Sequence, residues 1–297
     1  MTAASSSETQ DRYRQNFEEL NRRLDATHLG RHVRFFNFGY TSLTGETPAG
    51  PKVPSTYPNR DSVQLLFELV GDTDLAGADV LDVGCGRGGN LALVGEFWAP
   101  RTLVGLDLAF RSLQFGARIL PSPRLMVQGD AQTLPLAGSS VDVVMNVESS
   151  GCYPHLDHFY REVARVLRPG GRFLYADLIG TSMVSRYHEV LSELGFAMVE
   201  SRDITSNVAE SRRRRARRER RALGSGDDSA NLGEWVGEYG TELHAMLTDG
   251  SASYQLMQLV RATDPNPTAA GFTADEQEWM ARESARWAAN LRLDPPD

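Results

Sequence analysis

Only two cysteines, Cys85 and Cys152, occur in 297 residues. Two thiols make no disulfide framework, and a reducing cytoplasm is the expected setting. Long apolar runs are also missing. None approaches the ~18 residues a membrane-spanning helix needs, so no stable membrane insertion is expected. The first stretch, MTAASSSETQDRYRQ, has neither a basic start nor an apolar core, which argues against a secretory signal. Excess positive charge is absent as well. The formal net charge is −8, and an acidic chain is a poor general nucleic-acid binder. What is present is a hydrophobic content of 41 %, enough in this length for one large α/β domain with extra helices.

One segment departs from the acidic average. The run 211-SRRRRARRERR-221 carries eight arginines. Like-charge blocks are usually solvated helix faces or connectors. The sharper alternative is a clamp for an anionic or phosphorylated substrate, which the arginine fork suits. RNA is a third alternative, but no aromatic residues interleave the arginines to stack bases.

The N-terminal segment 11–30 has Tyr13, Phe17, Leu20 and Leu24 on one helical face. After 35-FFNFGY-40 comes a loop rich in Gly, Pro, Ser and Thr, then a helix over 61–70 with Asp61 as its expected N-cap. From residue 79 the pattern alternates. Strands are expected at 79–84, 102–107, 124–128, 141–147 and 171–178, with helices at about 90–97, 110–118 and 157–167. This alternation implies a parallel sheet covered by helices on both faces. A helix (183–194), a strand (196–203), a helical insert (about 207–248), a last strand (252–262) and a tail helix (273–292) follow.

The stretch 79-DVLDVGCGRGGN-90 is an apolar strand, a glycine-rich turn and a helix start. Gly84, Gly86 and Gly89 allow a ligand to approach backbone N–H groups closely. Asp107 ends the second strand, where a carboxylate accepts hydrogen bonds from ribose hydroxyls. Alone, these features support any nucleotide cofactor, including a nicotinamide. Asp82 inside the first strand, 129-GDAQTLPL-136 after the third, and 165-RVLRPGGRFLYAD-177 narrow the choice. Together they resemble class I S-adenosylmethionine (SAM)-dependent methyltransferases across residues ~79–178. The resemblance implies an α/β, Rossmann-like, seven-stranded sheet with its last strand antiparallel, plus N-terminal, inserted and C-terminal helices. It divides the chain into an N-terminal helix and lid segment (1–60), a SAM-binding core (61–206), an acceptor-side insert (207–251), the last strand (252–262) and a helical tail (263–297). It further implies that Asp82, Gly84, Cys85 and Gly86 face the methionine end of SAM. Asp107 would bind the ribose, Leu108 would pack on the adenine, and Asp130 with Ala131 would meet the adenine edge. Asn146 would close the site near the sulfonium.

The fourth strand exits into 146-NVESSGCYPH-155, which therefore rims the expected methyl-transfer cavity. A Cys–His nucleophile and a metal on His155, Asp157 and His158 are alternatives that lack supporting partners elsewhere. The C-Y-P stretch, F-N-F-G-Y at 36–40 and 203-DITSNV-208 are similar to the phthiotriol/phenolphthiotriol dimycocerosate-type and related actinobacterial natural-product methyltransferases. That group spans lipid, sugar, polyketide and terpenoid acceptors. The expected activity is methyl transfer to a small-molecule acceptor, by first choice a hydroxyl oxygen, with carbon methylation and a non-catalytic SAM-fold protein as alternatives. His155 is the candidate base and Glu148 the candidate assistant. Tyr40, Tyr153, Tyr187, Trp235 and Tyr239 are candidate pocket aromatics, useful to a cationic intermediate in carbon methylation. The apolar faces of the two terminal helices predict a pocket cover or a homo-oligomeric contact.

Overall fold

The computed structural model describes residues 6–26, 29–54, 56–120, 124–223, 242–266 and 268–290. Seven strands form one sheet in the order β3-β2-β1-β4-β5-β7-β6. Strands β1 (Asp79–Val83), β2 (Thr102–Asp107), β3 (Arg124–Gln128), β4 (Val141–Val147) and β5 (Leu167–Gly180) run parallel. Strand β7 (Ala252–Arg261) runs antiparallel between β5 and β6 (Phe196–Asp203). This is the expected seven-stranded α/β sheet with its last strand reversed.

Composition explains the placement. Strand β4 reads VDVVMNV and is buried at every position but Asp142, as suits a central parallel strand covered on both faces. Strand β6 lies at the edge and leaves Met198 and Val199 exposed. Strand β5 begins four residues before the expected 171. Leu167 pairs with Val141, the register then shifts, and Arg172 pairs with Val143. The Pro-Gly-Gly turn occupies that irregularity, with Gly170 at φ 78°, a glycine-only convenience in a bulged strand.

The helices are α1 (Ser6–Ala26), α2 (Arg60–Val70), α3 (Gly89–Phe97), α4 (Phe110–Ile119), α5 (Leu156–Val166), α6 (Val184–Glu193), α7 (Thr205–Leu223), α8 (Glu242–Met246) and α9 (Ala274–Asn290). Helices α2, α3, α4 and α7 cover one face of the sheet, through residues such as Leu66, Leu91, Leu113 and Val208. Helices α5 and α6, with Met280 of α9, cover the other. In α5, Leu156, Phe159, Tyr160 and Val163 fall on one side and are fully or nearly fully buried. Each such side chain contributes ~1.5–3 kcal/mol on leaving water. Helix α2 starts one residue earlier than expected. Its N-cap is Asn59 at φ 53°, without a side-chain cap, and Asp61 sits inside the first turn, where a carboxylate still favours the helix dipole.

The arginine run is neither wholly solvated nor wholly a clamp. Val208, Ser211 and Arg212 form the inward stripe of α7, with Ile204 just ahead of it, all buried. Ser211 donates to Phe38 O, and Arg215 donates to Asn37 O and Ser62 Oγ. Arg213 and Arg214 point the other way and pair with Glu210. Asp203 begins α7 by accepting the Thr205 N–H at 2.9 Å, and it also accepts from Ser253. The F-N-F-G-Y segment thereby fits between α2 and α7. Gly39, at φ 76°, leaves no room for a Cβ, which would lie 2.9 Å from Ser211 Oγ and from the Asp61 backbone.

Among the described residues, much of the apolar surface of the two terminal segments is covered within the chain. Tyr13, Leu20, Leu24 and Phe272 are buried, so the argument for self-association no longer rests on them. No helix among the described residues is long and apolar enough to cross a membrane.

Candidate active site

Strand β1 stops at Val83 because the chain turns through Gly84 and Gly86, at φ 71° and 50°. A Cβ on Gly84 would lie 2.3 Å from Ser149 Oγ, so glycine here keeps open the gap between the exits of β1 and β4. The Gly86 N–H donates to Asp107 Oδ2 at 2.8 Å, and the Ala109 N–H donates to Oδ1 at 2.8 Å. One lone-pair direction on each Asp107 oxygen remains for two ribose hydroxyls. Burial pushes the Asp107 carboxyl up to about 6.

A cavity of about 930 Å³, counted with its open mouth, lies over this turn. Of the expected cofactor residues it is lined by Gly84, Cys85, Gly86, Asp107, Leu108, Asp130 and Ala131. Asp82 and Asn146 do not line it. Asp82 lies beneath the turn, 1 % exposed, with Oδ2 lacking a partner among the described residues. Burial first, then the Asp107 charge, push its carboxyl up to about 8. Asn146 is fully buried and acts as a brace instead of a lid near the sulfonium. Its Nδ2 donates to Val83 O at 2.9 Å, Ser149 Oγ at 2.7 Å and Tyr153 OH at 3.2 Å.

The donor set fits SAM. Backbone N–H groups at a glycine turn, a carboxylate with two open lone pairs and the apolar Leu108 and Ala131 match its three chemical parts. Of two surrounding features, a cover from the N-terminal helix was an expectation and the arginine that anchors it was not. Tyr13 and Phe17 of α1, with Phe36 and Asn37, form the outer wall of the cavity. Arg87 of the glycine turn holds that wall down. It is fully buried and donates to Asn21 Oδ1 at 2.7 Å, Gly30 O at 2.6 Å and Asp25 Oδ1 at 2.5 Å. Its guanidinium also lies 4.3 Å from the centre of the Phe115 ring. The only sequence signal was an arginine within a glycine-rich turn.

Glu148 leaves β4 in the left-handed region, at φ 51°, a conformation that costs a non-glycine residue ~1–2 kcal/mol. Its carboxylate accepts the Phe38 N–H at 2.8 Å and the Tyr254 hydroxyl at 2.7 Å. Burial pushes it up to about 8, the Asp177 charge adds to that, and Arg212 opposes it. Glu148 lines the cofactor cavity, as do Cys152 and Tyr153. Burial pushes the Cys152 thiol up, so it remains a thiol near neutrality and is no nucleophile. His155 lines neither this cavity nor the next. Its N–H donates to Gln132 Oε1 at 2.7 Å, and its ring stacks on His158 at 5.0 Å. Among the described residues, no three His, Cys, Asp or Glu side chains come together as a metal would need.

A second cavity opens at the carboxyl ends of β4 and β5. Ser150, Tyr153, Leu156, Asp177, Ile179 and Tyr187 form its inner walls, and Met246 of α8 with Trp279 and Met280 of α9 form its outer ones. Tyr153 belongs to both cavities. Tyr40 is elsewhere: 4 % exposed, in the core, with its hydroxyl donating to Glu46. Trp235 and Tyr239 lie outside the described residues.

Residues 81–175 match the methyltransferase domain family model. A fatty-acid O-methyltransferase from Mycolicibacterium smegmatis is 36 % identical over 239 residues, covering 78 % of this chain and 85 % of that one. A phthiotriol/phenolphthiotriol dimycocerosates methyltransferase from Mycobacterium tuberculosis is 35 % identical over 211 residues, covering 69 % and 78 %. Among solved structures, the [4+2]-cyclase SpnF aligns with a TM-score of 0.63 at 16 % identity, covering 82 % of this chain and 96 % of that one. Geranyl diphosphate methyltransferase in complex with SAM aligns at 0.59 and 19 % identity, covering 77 % and 99 %. At such identities the two structures speak for the fold alone. The relatives in sequence carry the assignment: this chain belongs to the class I SAM-dependent methyltransferases, in the group that holds the fatty-acid O-methyltransferase and the phthiotriol/phenolphthiotriol dimycocerosates methyltransferases.

Proposed function

We propose that this methyltransferase modifies an oxygen atom of an apolar, lipid-like small molecule of natural-product or lipid metabolism. The observation that carries the reading is the second cavity: apolar walls, a buried carboxylate at its inner end, and one residue, Tyr153, in common with the cofactor cavity. The named acceptors of the sequence relatives, fatty acids and phthiotriols, agree with it.

When bound, SAM supplies an electrophilic methyl group on a positively charged sulfur. The chain's own residues supply position. Asp107 would accept the ribose hydroxyls, Leu108 and Ala131 would cover the adenine, and Asp130 would meet its edge. Tyr13, Phe17 and Phe36 keep water from the outer wall. Holding acceptor and methyl in line is worth roughly 7–11 kcal/mol in favourable cases. Glu148 orders the segment around Phe38 beside the cofactor cavity.

Carbon methylation is the second reading. Tyr153, Tyr187 and Trp279 give the second cavity aromatic faces that would stabilise a cationic carbon. Incubation with methyl-labelled SAM and an extract of apolar metabolites tests both, with mass spectrometry locating the label. A methyl ether or ester supports the proposal. A label on carbon overturns it in favour of the second reading, and SAM binding without any transfer would favour a non-catalytic SAM-fold protein.

A further inference from the structure

The two cavities differ in charge. Two arginines, Arg34 and Arg87, line the cofactor cavity beside Asp107, Asp130 and Glu148. The described residues lining the second cavity include Asp177, Asp249 and Glu283, and none is Lys, Arg or His. Asp177 matters most, because it begins the part of β5 that lines the cavity and is 5 % exposed. It is also rigidly held. Oδ2 accepts the Ser150 N–H at 2.9 Å and the Ser150 hydroxyl at 2.6 Å, and Oδ1 accepts the Leu178 N–H at 2.8 Å. The Ser150 hydroxyl is in turn 2.7 Å from the Tyr175 hydroxyl. A carboxylate offers about four lone-pair sites, and the Gly151 N–H also bears on this one, so an incoming hydroxyl shares a lone pair with a donor already in place.

Two kinds of oxygen acceptor enter an apolar cavity of this shape. A fatty acid arrives as a carboxylate, already a nucleophile but negatively charged. An alcohol arrives neutral and must lose a proton. A second anion beside a buried, held carboxylate meets like charge with little solvent to screen it. A neutral hydroxyl meets a hydrogen-bond acceptor. Burial also raises the Asp177 carboxyl above the usual range, which makes it a better proton acceptor than a solvated aspartate.

We propose that the second cavity binds a neutral hydroxyl at the end of a hydrocarbon chain, in preference to a fatty-acid carboxylate, and that Asp177 receives the hydroxyl proton. The inference rests on the oxygen-methylation reading above and narrows its substrate class. In the step, the acceptor O–H bond breaks and its proton passes to the Asp177 carboxylate. The oxygen's electron pair forms the new O–CH3 bond. The bond between that methyl and the cofactor sulfur breaks, its electron pair stays on sulfur, and a neutral thioether leaves. Asp177 then gives its proton to water. The chain of the acceptor lies against Leu156, Ile179, Trp279 and Met280.

The test compares 1-decanol with decanoate on the full chain, both with S-adenosylhomocysteine present, by calorimetry. Wild-type protein is expected to bind the alcohol at least about tenfold more tightly than the carboxylate. Asp177→Asn is expected to strengthen decanoate binding and to lower kcat on the alcohol by ~10²-fold with little change in KM, and Asp177→Glu to restore part of that kcat. Equal or tighter binding of decanoate by the wild type overturns the proposal, and so does an Asp177→Asn enzyme with undiminished kcat. The wild-type comparison needs no variant, so a misfolded substitution does not shield the idea. Methylation of carbon by wild-type enzyme would sink the oxygen reading itself, a different result from preference among oxygen acceptors.

Discussion

The two ends of the chain do similar work by different means. Helix α1 and helix α9 pack against each other, and each walls a cavity: α1 the cofactor site through Tyr13 and Phe17, α9 the second site through Trp279 and Met280. Helix α1 is held by a buried polar clamp. Arg87 reaches it from the glycine turn, and Asn21 Nδ2 donates to Ser112 Oγ at 2.8 Å. The approach to α9 is held by apolar contact, with Phe272 packed edge-on against Tyr187 at 5.3 Å and Tyr187 against Tyr160. Arg186 adds partly exposed bonds to Glu276 and Gly271 O, and Arg161 one to Ala269 O at 2.6 Å. Hydrogen bonds to a buried guanidinium demand one geometry, whereas ring packing tolerates small shifts. The cofactor is the same molecule in every turnover, and a rigid wall suits it. A second site walled by Met, Trp and Tyr suits an acceptor of less fixed shape.

The largest effect is expected from breaking the clamp. Arg87→Ala strips Asn21, Asp25 and Gly30 O of a common donor and should cost ~3–5 kcal/mol of stability. It should also weaken SAM binding by ~10²-fold, because the glycine turn and its cover lose their common anchor. Calorimetry and denaturant unfolding check the two arms. Unchanged SAM affinity in a folded variant would show that the cover is not coupled to the cofactor. Phe272→Ala should come next, at ~3 kcal/mol for a buried ring lost. Its SAM affinity should stay within about twofold, since Phe272 is remote from the cofactor walls. A loss of SAM affinity as great as that of Arg87→Ala would erase the contrast between the two ends.

A third expectation concerns pH. Asp82 and Glu148 are pushed up to about 8 and Asp107 to about 6, while free carboxyls titrate near about 4. Between these limits the folded protein holds protons that the unfolded chain has released. Stability without cofactor therefore falls as pH rises from about 5 to about 8. Asp79, Glu19 and Glu210 are lowered by their arginine partners, and their contribution is already complete above about pH 5. His188 and His244 are depressed by burial, so they oppose the slope near the ordinary imidazole range. Melting temperature against pH, with and without S-adenosylhomocysteine, measures this. A flat profile from pH 5 to 8 without ligand would remove the cluster of raised acids from the account.

The smallest effect is expected at His155, which borders neither cavity. His155→Ala should lower kcat by less than about threefold. A fall of ~10²-fold or more, with SAM affinity intact, would return it to the role of base and take that role from Asp177.

Much of the core was legible because its signals are local. The strands at 102–107, 124–128, 141–147 and 196–203 fall where apolar runs end in Gly, Pro, Asp or Ser. Seven of the nine expected cofactor residues line the cavity because a loop after a parallel strand must emerge at the strand's carboxyl end. Asp82 and Asn146 share those loops and strands, yet face into protein, since side-chain direction depends on neighbours beyond the motif. Tyr40 was a reasonable pocket aromatic by its position, but Glu46 and the α2 core claim it. Arg87 and Asp177 were in plain view within quoted motifs and went unread, because nothing in their own segments reveals a partner 62 residues away, as at Asp25, or a cavity closed by the tail.

By itself, then, the sequence determined the order of strands and helices, the glycine turn, the acid that ends β2 and the family they mark, because each rests on short-range periodicity or on a few adjacent residues. Tertiary structure alone decided which arginine is a clamp and which is a surface charge, which tyrosine faces a cavity, and that Asp177 rather than His155 stands at the second site. Those outcomes depend on burial and charge brought together from α1, β5, α7 and α9, and segments so distant in the chain meet only when the sheet and its covers have closed.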